Sequence, residues 1–102
     1  ILQKPLDMGA DIVLHSTTKY IGGHSDVVGG ALILKDDTWA QAIKFHQNSL
    51  GATPDPFAAW LTLRGLKTLG IRMQAHCQNA ASLATFLEAH PAVDSVIYPG
   101  LS

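Results

Sequence analysis

Residues 11–25, DIVLHSTTKYIGGHS, hold the densest run of reactive side chains in the chain, and their pattern decides the fold class. Ile12, Val13 and Leu14 form a short β-branched apolar run that ends in the polar residues His15 to Lys19. A run this short and apolar predicts a strand covered on both faces, as in a parallel sheet. The segment Gly22 to Asp26 predicts a turn, and Val27 to Leu34 a second apolar strand. Gly29 and Gly30 within it carry no side chain, which implies a close neighbour, either backbone or ligand.

Working outward, residues 1–11 predict a loop, broken by Pro5 and Gly9. From Asp36 the period becomes helical. Asp36 or Asp37 can cap, and Trp39, Ile43 and His46 recur at steps of four and three. Pro54, Asp55 and Pro56 predict the start of a further helix. Phe57, Trp60, Leu61, Leu63 and Leu66 make that helix apolar around most of its girth, and Gly65 and Gly70 predict a break or bend. Met73, Cys77, Ala80, Ala84 and Leu87 form a small-residue stripe on a long helix, which His90 and Pro91 end. Val93 to Ile97 predict the opening of another strand. Strand, strand, helix, helix, long helix, strand is an α/β order.

Composition excludes several functions. Seven Lys and Arg against eight Asp and Glu give a net charge of −1, which argues against nucleic acid or an anionic membrane as partner. A 47% hydrophobic content excludes disorder. The longest apolar or glycine run, Val27 to Leu34, is too short to span a membrane. A single cysteine, Cys77, and no signal peptide predict a reducing, cytoplasmic setting. Only 15% of the 102 residues are charged, well below the roughly one quarter usual for a domain. With two strands and no further sheet for Val93 to Ile97 to join, the chain reads as an oligomer core or a piece of something larger.

The chemistry centres on Lys19. At the end of a buried strand its ammonium is poorly solvated, which lowers its pKa and frees the amine as a nucleophile for carbonyls. Ser16, Thr17 and Thr18 offer hydroxyl donors to an anion. A phosphate held beside a lysine Schiff base describes pyridoxal 5'-phosphate. A polar turn with a solvated lysine accounts for the same residues.

The stretch Asp11 to Ser25 resembles the pyridoxal-phosphate attachment signature of the Cys/Met-metabolism (trans-sulfuration) enzymes. That signature runs Asp or Gln, an aliphatic, three free positions, two small residues, Thr-Lys-aromatic-aliphatic, one free position, Gly-His and a small or polar residue. Every fixed position is met. Residues 2–6 (LQKPL), 9–11 (GAD), 25–29 (SDVVG), 48–51 (NSLG), 63–69 (LRGLKTL), 96–101 (VIYPGL), and Arg72 and Met73 with His76 extend the likeness. It spans nearly the whole chain but only the middle of a family subunit.

The resemblance implies a segment of a fold-type I, aspartate aminotransferase-like enzyme. Residues 1–53 would close its large cofactor domain, with Val27–Leu34 as an antiparallel strand. Residues 54–90 would be linking helices, and residues 91–102 would open the small C-terminal domain. It implies covalent attachment of the cofactor and proton shuttling at Lys19, and phosphate binding by Ser16 and Thr18. Thr17, pointing the other way, has no such role. The implied reaction is γ-elimination of a C–S bond, of cystathionine γ-lyase type. The alternative is γ-replacement on an O-acylhomoserine, of cystathionine γ-synthase type, and the implied assembly is a homotetramer. In the family, the acid facing the pyridine nitrogen and a ring-stacking tyrosine precede the span seen here, and an arginine for the substrate carboxylate follows it. A reading of another class is a non-catalytic or interface piece without activity alone. His24 and Asp26 are expected to make structural hydrogen bonds and Tyr20 to pack beside the site. Arg64, Lys67 and Arg72 read as a solvated face or salt-bridge partners. No metal site is expected.

Overall fold

The computed structural model describes residues 1–101. Its elements are a 3-10 turn (Pro5–Met8), strand β1 (Ile12–Ser16), a π-helical turn (Thr17–Ile21), strand β2 (Gly30–Leu34), and helices α1 (Asp37–Leu50), α2 (Pro56–Leu66) and α3 (Leu69–Glu88). They fall into two compact units, Ile1–Leu69 and a second beginning at Gly70.

In the first unit β1 and β2 pair antiparallel, with Ile12 opposite Leu34 and Ser16 opposite Gly30. This register sets the last residue of β1 beside the first of β2, so both strands converge on the turn that holds Lys19. The ladder starts at Gly30, three residues later than the apolar run beginning at Val27 predicts. The physical reason is that Gly29 is taken up by the lysine turn: its carbonyl accepts from Thr17 N at 2.9 Å. Its N–H donates to Thr18 Oγ1, also at 2.9 Å.

The strands are not covered on both faces within the chain. In β1 only Val13 is buried, and Leu14 is 72% exposed. Residues 1–11 are not simply a loop, because Pro5 starts a 3-10 turn that Gly9 ends at φ 101°. That turn is tied to the far end of β2, where Lys35 Nζ donates to Asp7 Oδ1 at 2.9 Å and to the Leu6 carbonyl at 3.2 Å.

The helices start where their caps lie. Asp36 Oδ1 accepts from Trp39 N at 2.9 Å to open α1, and Gly51 closes it in the left-handed region. Asp55 Oδ1 accepts from Phe57 N and Ala58 N at 2.9 and 3.1 Å, with Pro56 in the first turn of α2. α2 runs unbroken through Gly65, and the expected break falls between the two glycines, at Lys67 and Thr68. An unkinked glycine costs a helix about 1 kcal/mol relative to alanine, so Gly65 needs another reason to be there.

In the second unit α3 ends at Glu88, just before His90 and Pro91. Gly70 sits in its first turn without breaking it. Of the stripe, Ala84 is buried, Met73 and Leu87 are half-buried, and Cys77 is exposed. Val93 to Ile97 form no strand, and the ordered pairing there is a single bridge between Pro99 and Leu101. Among the described residues no helix is long and apolar enough to cross a membrane.

Candidate cofactor-lysine site

Lys19 lies in the π-helical turn that follows β1 directly, at the carboxyl end of a strand, where open α/β sheets place their ligands. The turn closes around it: Gly22 N donates to the Thr17 carbonyl at 2.9 Å, and Gly23 N donates to the Lys19 carbonyl at 2.8 Å. The backbone leaves helical geometry at Lys19 alone (φ −93°, ψ −119°). Gly23 then reverses the chain at φ 75°, and Ser25 follows at φ 56°.

The expectation that Lys19 is desolvated does not hold for this chain, since the residue is exposed. Strand burial was the premise of that expectation, and a two-stranded sheet with one buried residue in β1 does not supply it. The exposed side is the chemically useful one. Ser16, also exposed, makes no capping bond with its side chain. Thr18 is half-buried, and its Oγ1 accepts from Gly29 N at 2.9 Å while lying 3.3 Å from the Gly29 carbonyl. One hydroxyl hydrogen on Thr18 is therefore held only by a long bond and can turn toward an anion.

Thr17 differs from these two in its burial. It is the buried polar residue of the site, 7% exposed, and it lines a cleft of about 530 Å3 with Val27, Gly29, Pro54, Ala59 and Leu63. His24 takes the structural role foreseen for it: its ring Nδ1 lies 2.7 Å from the Gly22 carbonyl. A carbonyl only accepts, so that nitrogen carries the proton. Tyr20 is exposed, and Arg64 lies 6.0 Å over the Trp60 ring on α2. An exposed amine with hydroxyls one and three residues before it is the donor set that an aldehyde-bearing phosphate ester needs. The residues present fit pyridoxal phosphate.

Sequence reading missed Gly65. It is buried, on α2, against the carbonyls of Ile21 and Gly22 at the end of the lysine turn. Its only local signal was a helix-weakening residue inside an otherwise strong helical pattern.

Comparison with known proteins places the chain in a class. The model of the Cys/Met metabolism PLP-dependent enzyme family matches residues 1–102, and the chain belongs to that family. It is 64% identical over 100 residues to the cystathionine gamma-synthase of Mycobacterium leprae (strain TN), covering 98% of this chain and 26% of that one. To the cystathionine gamma-lyase of Dictyostelium discoideum it is 60% identical over 99 residues, covering 97% and 26%. Among solved structures it resembles the cystathionine gamma synthase of Xanthomonas oryzae pv. oryzae in complex with aminoacrylate and cysteine. That likeness has a TM-score of 0.94 and 55% identity, over 98% of this chain and 26% of that one. The α/β fold-type I segment implied by the signature is thus the fold observed. The chain spans about a quarter of the length of these relatives.

Proposed function

We propose that Lys19 is the residue that carries pyridoxal phosphate, that Ser16 and Thr18 hold its phosphate, and that the whole protein makes or breaks a C–S bond at the γ carbon of a sulfur amino acid. The observation that carries this reading is an exposed lysine on a closed turn, with hydroxyl residues one and three positions before it, within a segment of a PLP-dependent family. When bound, the cofactor supplies an electron sink for negative charge developing at the substrate's α carbon.

The chain's own residues do the rest. Lys19 Nζ, on a flexible four-carbon stem, would hold the cofactor and would accept and return protons as a general base and acid. The hydroxyls of Ser16, at the end of β1, and Thr18, in the turn that carries Lys19, would hold the phosphate end. His24 Nδ1–H holds the Gly22 carbonyl and keeps the turn shut. In this reading residues 1–53 close the cofactor domain, residues 54–90 link, and residues 91–102 open the small domain of a cytoplasmic homotetramer. Twenty large hydrophobic side chains stand exposed among the described residues, against three buried hydrophobic ones, which supports burial against further polypeptide.

γ-Elimination would convert cystathionine and water to cysteine, 2-oxobutanoate and ammonia. γ-Replacement would join cysteine to an O-acylhomoserine and release the acid. The second reading is favoured by the name of the mycobacterial relative. Incubating the full-length protein with each substrate set and identifying the products distinguishes them. The site assignment is tested by borohydride reduction and peptide mass mapping. The pyridoxyl group is expected on the peptide containing Lys19 and absent after Lys19→Ala. A pyridoxyl group on another lysine would refute the assignment.

A further inference from the structure

We propose that Gly65 is a positioning residue for Lys19, its missing side chain letting α2 seat directly against the backbone of the lysine turn. The inference deepens the reading of Lys19 as the cofactor lysine and rests on it. A Cβ on Gly65 would collide with the carbonyl oxygens of both Ile21 and Gly22. These are backbone atoms and cannot swing aside as a side-chain tip can. The turn is equally tight on its other side. A Cβ on Gly22 would meet Val27 Cγ1 at 2.6 Å and the Thr17 carbonyl at 2.7 Å, and one on Gly29 would meet Thr17 Oγ1 at 2.8 Å.

Gly22 is thus wedged between a helix and a strand lead-in, with its carbonyl gripped by His24 Nδ1 at 2.7 Å. The wedge is transmitted to the lysine by the two bonds that close the turn, Gly22 N to Thr17 O and Gly23 N to Lys19 O. Gly22 has ordinary right-handed dihedrals (φ −65°, ψ −55°), so space and not backbone freedom demands a glycine there. The same holds for Gly65, inside a helix that glycine weakens. A Cβ on Gly70, five residues on, would meet nothing within 4 Å, so that glycine serves as the matched control.

The test uses the full-length holoenzyme with Gly65→Ala, Gly70→Ala and Lys19→Ala. Gly65→Ala is expected to keep the pyridoxyl group on Lys19 while kcat falls on the order of 10- to 100-fold and KM stays within about twofold. The pH midpoint of the bound cofactor's absorbance band should move by about 0.5 unit or more. Gly70→Ala should match the wild type. A Gly65→Ala enzyme with unchanged kcat and midpoint, even if less heat-stable, would overturn the proposal. Covalent capture surviving Lys19→Ala would instead overturn the underlying reading, so the two failures are distinguishable. If Gly65→Ala does not fold, hydrogen exchange in the cofactor-free wild type decides. Slow exchange at the Gly22 and Gly23 amides supports packing as the source of the turn's rigidity. Exchange at the unprotected rate until cofactor is added overturns it.

Discussion

Replacing Thr18 with valine removes one hydroxyl while keeping the shape of the side chain, and two separate costs follow from the hydrogen bonds it makes. The first is structural. Gly29 N loses its acceptor at 2.9 Å. The site is only half-buried, so water can take over, and the loss is about 0.5–1 kcal/mol. The second cost falls on the cofactor. The hydroxyl hydrogen now lies along a 3.3 Å contact to the Gly29 carbonyl, too long to hold it strongly. Turned toward a phosphate it makes a charge-assisted bond worth about 1.5–3 kcal/mol. That corresponds to about 10- to 150-fold in Kd. The assay titrates the cofactor-stripped full-length protein with pyridoxal phosphate and, separately, with pyridoxal, which lacks the phosphate. Thr18→Val should weaken the first by that factor and leave the second within about twofold. Thr18→Ser should restore the ratio. Equal weakening of both ligands would show that the threonine only shapes the turn, and no weakening of either would remove it from the site.

Two further outcomes follow from neighbouring residues. Ser16 makes no capping bond within the chain, so Ser16→Ala should weaken pyridoxal phosphate and not pyridoxal in the same titration, with no loss of thermal stability. Asp55 caps α2 through two backbone amides, so Asp55→Ala should cost about 1 kcal/mol. Read by hydrogen exchange, amides of the first turn of α2 should then exchange about fivefold faster, with those of α1 unchanged.

Much of this site was legible because its chemistry is local. Lys19, Ser16 and Thr18 lie within four residues, and a strand ending in hydroxyls, a lysine and two glycines reads directly as a turn. The starts of α1, at Asp36 or Asp37, and of α2, at Pro54 to Pro56, were legible for the same reason, since the caps found at Asp36 and Asp55 act on amides two or three residues away. Features that depend on distant partners were not. The start of β2 shifts from Val27 to Gly30 because Gly29 is engaged by Thr17 and Thr18, twelve and eleven residues back, and apolar content carries no trace of that. The desolvation expected at Lys19 depended on neighbours on both faces of β1, whose sheet here has only one other strand. Gly65 read as a flaw in α2, when the contact that requires it lies more than forty residues earlier in the chain.

That division between local chemistry and distant packing has a physical basis in the lysine itself. Its side chain has four rotatable bonds and about 2 kcal/mol of rotamer entropy, so the stem cannot by itself hold the amine in place. Precision has to come from the atoms that anchor the stem and from the groups fixing the other end of the ligand. Lys19 and Thr18 arise from one turn, with Ser16 just before it, and a turn is the least rigid kind of backbone unless something packs against it. Side chains would hold it at a distance and could rearrange. Gly65 brings backbone onto backbone, where displacement meets hard repulsion at once, and Gly22 and Gly29 leave room for Val27 Cγ1, the Thr17 carbonyl and Thr17 Oγ1 to close on the turn. The face that must bind remains open, and the opposite face is made stiff by close packing that only glycine at 22, 29 and 65 admits.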